Sequence, residues 1–489
     1  REYRERPDET SHYNSFLAAP QEGVDGEAAV TVAAIADAEL DQASAAALDL
    51  EIATDQEPFS TFSLNVSDVS FKLAAAAFLE NGAWPDPARI RPEEFVNAFD
   101  YGDPQPATGE AVASLTEQCR HPFLPGRNLL RVSMRTAAAG RSSSTPLSLT
   151  VLLDKSGSME RDDREASVLK AMAALSEQLT DGDVVSVIGF ARTPSLIVDR
   201  LSGAEADGLT RLVAEAPSDG GTNLEEALVL ARETAERQFQ EGAQNRVVLI
   251  TDGAANLGDA QPESLQQKVI GLRGAGVAFD ACGVGADGLN DEILEALTRK
   301  GDGRYYFLDR PQDADAGFVR QLAGALRPAA RNVKVQVKFN PGRVSSYRLS
   351  GFEKHRLNKE DFRNDKVDAA ELAAAESGNA IYQIEVDPAG QGDVGEVFVR
   401  FQDMASGLMV ERSWRIPYEA SAPDLESASP SMRLAALASM FAEKLKGGPL
   451  GELIELSDLA SATAGLRSLP NERVGTFVQM FEKARQLQP

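Results

Sequence analysis

Two kinds of hydrophobic pattern divide this chain. Between Pro146 and Leu326 short apolar runs, Leu149 to Leu153, Val184 to Phe190, Val247 to Thr251, Val277 to Gly283 and Tyr305 to Leu308, alternate with helical periodicities at Ala166 to Leu179, Leu224 to Phe239, Pro262 to Leu272 and Asp291 to Arg299. Strands apolar on both faces, separated by amphipathic helices, predict a mostly parallel sheet covered on both sides, that is, a doubly wound α/β domain. On either side of this block the period falls to two. Leu130, Val132 and Met134 alternate with Arg131, Ser133 and Arg135; Val333, Val335, Val337 and Phe339 alternate with Lys334, Gln336 and Lys338; Tyr382, Ile384 and Val386 alternate with Gln383 and Glu385. That alternation predicts antiparallel strands with one face in the core and one in water. Because these strands bracket the block, the expected topology is an α/β domain inserted into a β-sandwich.

The ends read differently. An alternating strand from Phe59 to Val66 is followed by predicted helices at Phe71 to Leu79 and Pro92 to Phe99, the latter with Glu93 and Glu94 in the first turn, where the helix dipole favours negative charge. Beyond the Ser/Ala/Pro-rich stretch Ala420 to Pro430, Leu434, Leu437, Phe441 and Leu445, then Val474, Phe477 and Phe481, repeat at helical spacing. The expected division is an acidic, Ala-rich arm over 1–57, helices and sandwich strands over 58–145, the α/β domain over 146–327, completion of the sandwich over 328–419 and a small helical region over 420–489.

Charge sharpens this picture. The 489 residues carry a net charge of −26, which sets phosphate backbones and anionic bilayers against binding and argues against a nucleic-acid partner. Between Pro7 and Phe71 there is no lysine or arginine to answer the acids from Asp8 to Glu57. Self-repulsion predicts a solvated tail with some Ala-rich helix, or else an arm that orders on a partner. The two cysteines, Cys119 and Cys282, fall in different predicted domains and supply no disulfide framework. No run of 18 apolar residues occurs, and Arg1 to Pro7 lacks the apolar core of a signal peptide.

The candidate chemistry lies at the strand ends of the central block. The first strand runs into Asp154-Lys155-Ser156-Gly157-Ser158-Met159, three oxygen-bearing side chains at alternate positions of a strand-to-helix turn. The third ends at Thr251-Asp252-Gly253, and a loop with paired glycines, Ser218-Asp219-Gly220-Gly221-Thr222-Asn223, precedes the helix from Leu224. Ligands of open α/β sheets bind outside the carboxyl ends of the strands, so Asp154, Ser156, Ser158, Thr222 and Asp252 are expected to converge there. Two carboxylates and three hydroxyls are hard ligands with few charges, suited to Mg2+ or Mn2+, with Ca2+ the remaining choice, and they leave a coordination position for an Asp or Glu of a partner protein.

These residues resemble the adhesion site of the von Willebrand factor A fold, and the resemblance spans the central block through Gly301 to Tyr306. It implies direct ligation by Ser156, Ser158 and Thr222, with Asp154 and Asp252 acting through coordinated water. Pro58 to Leu64, Arg91 to Asn97, Val335 to Pro341, Tyr347 to Glu353 and Asp361-Phe362 further resemble a YfbK-like bacterial subfamily of A-domain proteins. That likeness implies an extracytoplasmic place, periplasmic or cell-surface, in a membrane-associated complex. Where members of that subfamily carry Asp-x-Asp after the first strand, this chain has Asn65-Val66-Ser67-Asp68.

Other chemistries fit less well. Gly283-Val284-Gly285-Ala286-Asp287-Gly288, followed by Asp309, imitates a dinucleotide fingerprint but comes late in the domain before a short helix. The only histidines are His12, His121 and His355, all outside the central block, so its serines lack a histidine base. Lys155 is expected to be a solvated ammonium beside the cation. The expectation is therefore a non-enzymatic, divalent-metal-dependent protein-binding module, with a structural subunit of a cell-envelope assembly as the alternative.

Overall fold

Strands from both sides of the central block pair in two antiparallel sheets of the computed structural model, which describes residues 43–487 apart from 138–144, 254–257, 259, 315–317, 320–321, 323–325, 327, 368, 373–374 and 470. In the first sheet Arg127–Thr136 lies between Val112–Arg120 and Ser377–Val386, followed by Val344–Leu349 and Ile52–Ala53. In the second, Ala330–Phe339 lies between Phe59–Ser63 and Gly395–Asp403, with Met409–Ile416 and Arg356–Leu357 at the edges. The inward positions of the alternating runs, among them Leu130, Val132, Val335, Val337 and Ile384, form the core between the sheets. Phe339 stacks on Tyr347 with ring centroids 4.4 Å apart and meets Tyr382 edge-on.

The outward positions are only partly wet: Lys338 is exposed and Arg135 and Glu385 half-buried, but Arg131, Ser133, Lys334, Gln336 and Gln383 are buried. Arg131 is 1% exposed: it lies over the Tyr101 ring, donates to Asn379 Oδ1 at 3.0 Å and pairs with Asp103 and Glu117. Lys334, equally buried, donates to the carbonyls of Asp361 and Asn364 at 3.1 and 2.6 Å. Helices cover the first sheet. Phe71 and Phe78 of Val69–Leu79, Phe95 of Pro92–Val96, Phe441 of Pro430–Lys446, and Phe477 and Phe481 of Glu472–Leu487 share one core, so the helices expected in 58–145 and 420–489 form a single body. The expected linker is docked as well, with Ala422, Leu425 and Ala428 buried.

Residues 1–42 of the expected acidic arm lie outside the described residues. From 43 onward the arm is built in: Ala43 and Ala47 of the helix 43–48 enter the helical core, and Ile52–Ala53 pairs with Val344–Leu349. Glu51 accepts from Arg127 Nε and Nη2 at 3.0 and 3.1 Å and is reached by Gln383 and Ser346. The solvated stretch expected over 1–57 does not include Glu51, which finds a guanidinium 76 residues away that local charge counting does not see.

In the α/β domain the strand order is Tyr305–Leu308, Ala278–Val284, Gln244–Thr251, Leu147–Asp154, Val184–Phe190 and Ser195–Ser202, the last antiparallel to its neighbour and the others parallel. The edge strand Ser195–Ser202 escaped the apolar pattern because much of it faces solvent. The domain is fastened to the sandwich by buried charge. Arg246, with no exposed surface, donates through Nε and Nη2 to both oxygens of Asp280 and through Nη1 to Glu371 on the sandwich strand Ala370–Leu372, each at 2.8 Å. Arg331 Nε stands 2.8 Å from the other Glu371 oxygen, and Arg304 holds Glu376 at 2.7 and 3.0 Å. A second seam runs through Arg91, which bridges Glu94 and Asp291 at 2.7 Å each.

Breaking a buried pair by removing one partner costs far more than the pair is worth, because the other charge is stranded. Arg246→Met is therefore expected to lower stability by about 3–5 kcal/mol in urea unfolding. A loss below about 1 kcal/mol, the scale of an exposed pair, would show that this seam does not hold the domain.

Candidate metal site

The strand Leu147–Asp154 is central in its sheet, and its end is where the chain must turn into the helix Asp162–Ser176. Asp154 is 1% exposed; its Oδ1 accepts the Ser156 amide at 2.9 Å, and its Oδ2 accepts the Thr251 hydroxyl from the neighbouring strand at 2.6 Å. Thr251 Oγ1 in turn accepts from the Gly253 amide at 3.0 Å. The turn sets the Ser156 and Ser158 hydroxyl oxygens 3.1 Å apart. The loop 218–223 lies along this turn: Ser156 and Asp219 form a parallel bridge, the Asp219 amide donates to the Lys155 carbonyl at 3.1 Å, and the Asn223 amide donates to the Ala191 carbonyl at 2.7 Å. Thr222, 2% exposed, precedes Asn223, whose side chain caps the helix Leu224–Arg237 by accepting from the Glu226 amide. The turn, the loop and the strand end thus meet at the carboxyl edge of the central strands, bringing together the segments that carry Asp154, Ser156, Ser158, Thr222 and Asp252.

One partner was missed in the sequence. Arg164, on the helix Asp162–Ser176 and 4% exposed, forms an ion pair with Asp252, so that carboxylate is already answered by a cation of the chain. The available signal was faint: Arg164 shares a helix face with Val168, Ala171 and Leu175, a charged residue on a buried stripe.

Asp154 is not answered in this way. Among the described residues no basic side chain forms a salt bridge with it. Burial pushes its carboxyl up to about 6, against the hydrogen bonds of Thr251 and Ser156 that favour the charged form. A buried carboxylate held only by hydroxyl and amide donors, beside two adjacent hydroxyls, is an oxygen-only set with charge to spare. That chemistry fits a hard divalent ion and not one that prefers thiolate or imidazole. Among the described residues no three carboxylates, imidazoles or thiols gather to hold a metal, so any ion here would rest on few formal charges.

The neighbouring signals resolve into structural roles. Lys155 is half-buried, not freely solvated; its ammonium donates to the Val213 carbonyl at 3.4 Å along a cavity of about 220 Å3 beside the turn. In the dinucleotide-like turn Asp309 Oδ1 accepts the Ala286 amide at 2.7 Å, which ties the turn to the end of the next strand. Asp68, in the segment that departs from Asp-x-Asp, pairs with Arg473 and lies 3.4 Å from Lys72, while Asn65 faces His355 Nε2 at 3.3 Å. His121 Nδ1 accepts two backbone amides at 3.1 Å, and burial lowers its pKa to about 3. Both thiols are buried, which pushes them up to about 12.

Thr251→Val tests how Asp154 is held. The variant keeps a β-branched strand residue but removes the hydroxyl at 2.6 Å, and stranding a buried acceptor costs about 1–3 kcal/mol. Urea unfolding of the metal-free variant should show a loss of that size, and an unchanged midpoint would mean the hydroxyl does not support the carboxylate.

The site's setting matches known proteins. Residues 149–254 match the model of the von Willebrand factor type A domain, residues 42–131 that described as von Willebrand factor, and residues 324–487 the C-terminal region of the uncharacterized protein YfbK. YfbK of Escherichia coli is 31% identical over 340 residues, covering 68% of this chain and 59% of its own length, so the chain spans less than two thirds of that relative. The uncharacterized protein sll0103 of Synechocystis is 24% identical, covering 57% of this chain and 67% of its own length. An inter-alpha-trypsin inhibitor heavy chain of Bos taurus is 26% identical over 192 residues, 37% of this chain and 21% of its own length. Among solved structures, a von Willebrand factor type A protein of Catenulispora acidiphila aligns at a TM-score of 0.41 and 16% identity, covering 63% of this chain and 72% of that one. With the doubly wound sheet in place and the flanking regions matched as well, the chain carries a von Willebrand factor type A domain together with a C-terminal region like that of YfbK.

Proposed function

We propose that the rim formed by Asp154, Ser156, Ser158, Thr222 and Asp252 takes up a divalent cation, Mg2+ or Mn2+ ahead of Ca2+, and through it captures an Asp or Glu carboxylate of a protein partner, without catalysis. The observation that carries this reading is Asp154: a buried carboxylate in no salt bridge among the described residues, set beside the paired Ser156 and Ser158 hydroxyls at the carboxyl edge of the sheet. Once bound, such an ion would supply Lewis acidity and an exchangeable coordination position. The chain's own residues orient the oxygens and, with so few formal charges, leave the ion unsatisfied without an outside anion. We infer an extracytoplasmic place, in a membrane-associated complex, a reading that the family likeness supports. Among the described residues no helix is long and apolar enough to cross a membrane.

A second reading draws on the buried seams at Arg246 and Arg91, which join the α/β domain to its scaffold as one unit. In it the chain is a structural subunit of an envelope assembly and the ion steadies one interface. The two readings part in crosslinking and pull-down from the native host. Adhesion predicts that partners are lost with EDTA, restored by Mg2+ or Mn2+, and lost again in Asp252→Ala. Retention of the same partners through both treatments would leave the structural reading standing. Calorimetry with Mg2+, Mn2+ and Ca2+ ranks the ions, and no heat with any of them would remove the cation site altogether.

A further inference from the structure

Arg164 does more than pair with one acid. Its Nη1 donates both to Asp252 Oδ2 and to the Ser158 carbonyl, the latter at 3.2 Å, and its Nη2 donates to the Asp287 carbonyl at 2.5 Å. One guanidinium therefore ties together the Asp154–Ser158 turn, the end of the strand Gln244–Thr251 and the glycine-rich turn 283–288. The fold makes room for it. Gly285 has φ +75°, and a Cβ there would stand 2.8 Å from Arg164 Nε. A glycine that looked in the sequence like part of a nucleotide fingerprint is thus required by the approach of this side chain.

Position and charge give Arg164 a consequence for binding. Asp154 and Asp252 alone would present two negative charges, enough to neutralise a divalent ion; with Arg164 locked on Asp252 the set presents one. We propose that Arg164 is a built-in counter-charge and positioning residue of the site, which keeps affinity for the free ion low and makes an outside carboxylate part of tight binding. Metal and partner then bind cooperatively, each raising the other's affinity by the same factor. This rests on the reading of the rim as a cation site.

The test is calorimetric titration of the full chain with Mn2+, with and without acetate as the carboxylate probe, in the wild type, Arg164→Gln, Arg164→Lys and Asp154→Ala, with circular dichroism to check folding. Arg164→Gln is expected to bind Mn2+ at least about tenfold more tightly than the wild type, about 1.4 kcal/mol, and to lose most of the tightening that acetate brings. Arg164→Lys keeps the charge but not the fork that holds Asp252 and Ser158 together, and should fall between the two. Mn2+ binding within twofold of wild type in folded Arg164→Gln, or acetate tightening both equally, overturns the proposal and leaves Arg164 a structural residue. If Arg164→Gln does not fold, Arg164→Met, which also removes the charge, decides by the same criterion. Failure of the underlying reading looks different: heat that persists in Asp154→Ala, or none in any variant, removes the site and the proposal with it.

Discussion

A guanidinium keeps its charge even with no exposed surface, so its burial is strongly unfavourable unless carboxylates surround it, and Arg246 is in that position. Burial alone would lower its pKa; Asp280 and Glu371 hold it well above the usual arginine range. Asp280 belongs to the α/β domain and Glu371 to the sandwich, so the ionic requirement of one side chain can be met only when the two are docked. Arg304 and Arg331 extend the joint, and Arg91 repeats the device by spanning Glu94 and Asp291. Buried ionic networks add little stability over apolar packing, but they tolerate few alternative geometries. An inserted domain is in this way held in one orientation on its scaffold.

The joint also decides which end of the domain is available. Arg246 stands near the start of its strand and Asp252 directly follows the strand's end, about 20 Å away at 3.3 Å per residue. The amino ends of the parallel strands are committed to the sandwich, which leaves the carboxyl ends to carry the candidate site. There the economy of charge is reversed. Among the described residues Asp154 forms no salt bridge, whereas Asp252 pairs with Arg164. The bottom of the domain is closed by paired charge, while at the top a buried carboxylate is met by hydroxyl and amide donors.

The central strands and helices lie within a few residues of where their periodicity placed them, because a strand buried on both faces leaves an unbroken apolar run, such as Val247 to Ile250, that little else explains. The turn at Asp154, Ser156 and Ser158 and its companions at Thr222 and Asp252 could be read for a similar reason: their spacing is local and the sheet topology brings their loops together. The outer faces of the sandwich could not. Arg131 and Lys334 alternate with apolar neighbours as solvent-facing residues do, yet both are 1% exposed beneath segments distant in the chain.

What the sequence determined by itself was therefore the set of elements and the loops of the candidate site, since both depend on short-range periodicity and on where strands end. What only the tertiary structure decided was the fate of charge. Whether Arg131 meets water or Asp103, whether Glu51 belongs to a tail or to Arg127, and whether Asp252 faces solvent or Arg164 are contacts made across 28 to 88 residues. The physical reason is that a charged side chain has no intrinsic place. Its burial is allowed or forbidden by a partner that the surrounding sequence does not name.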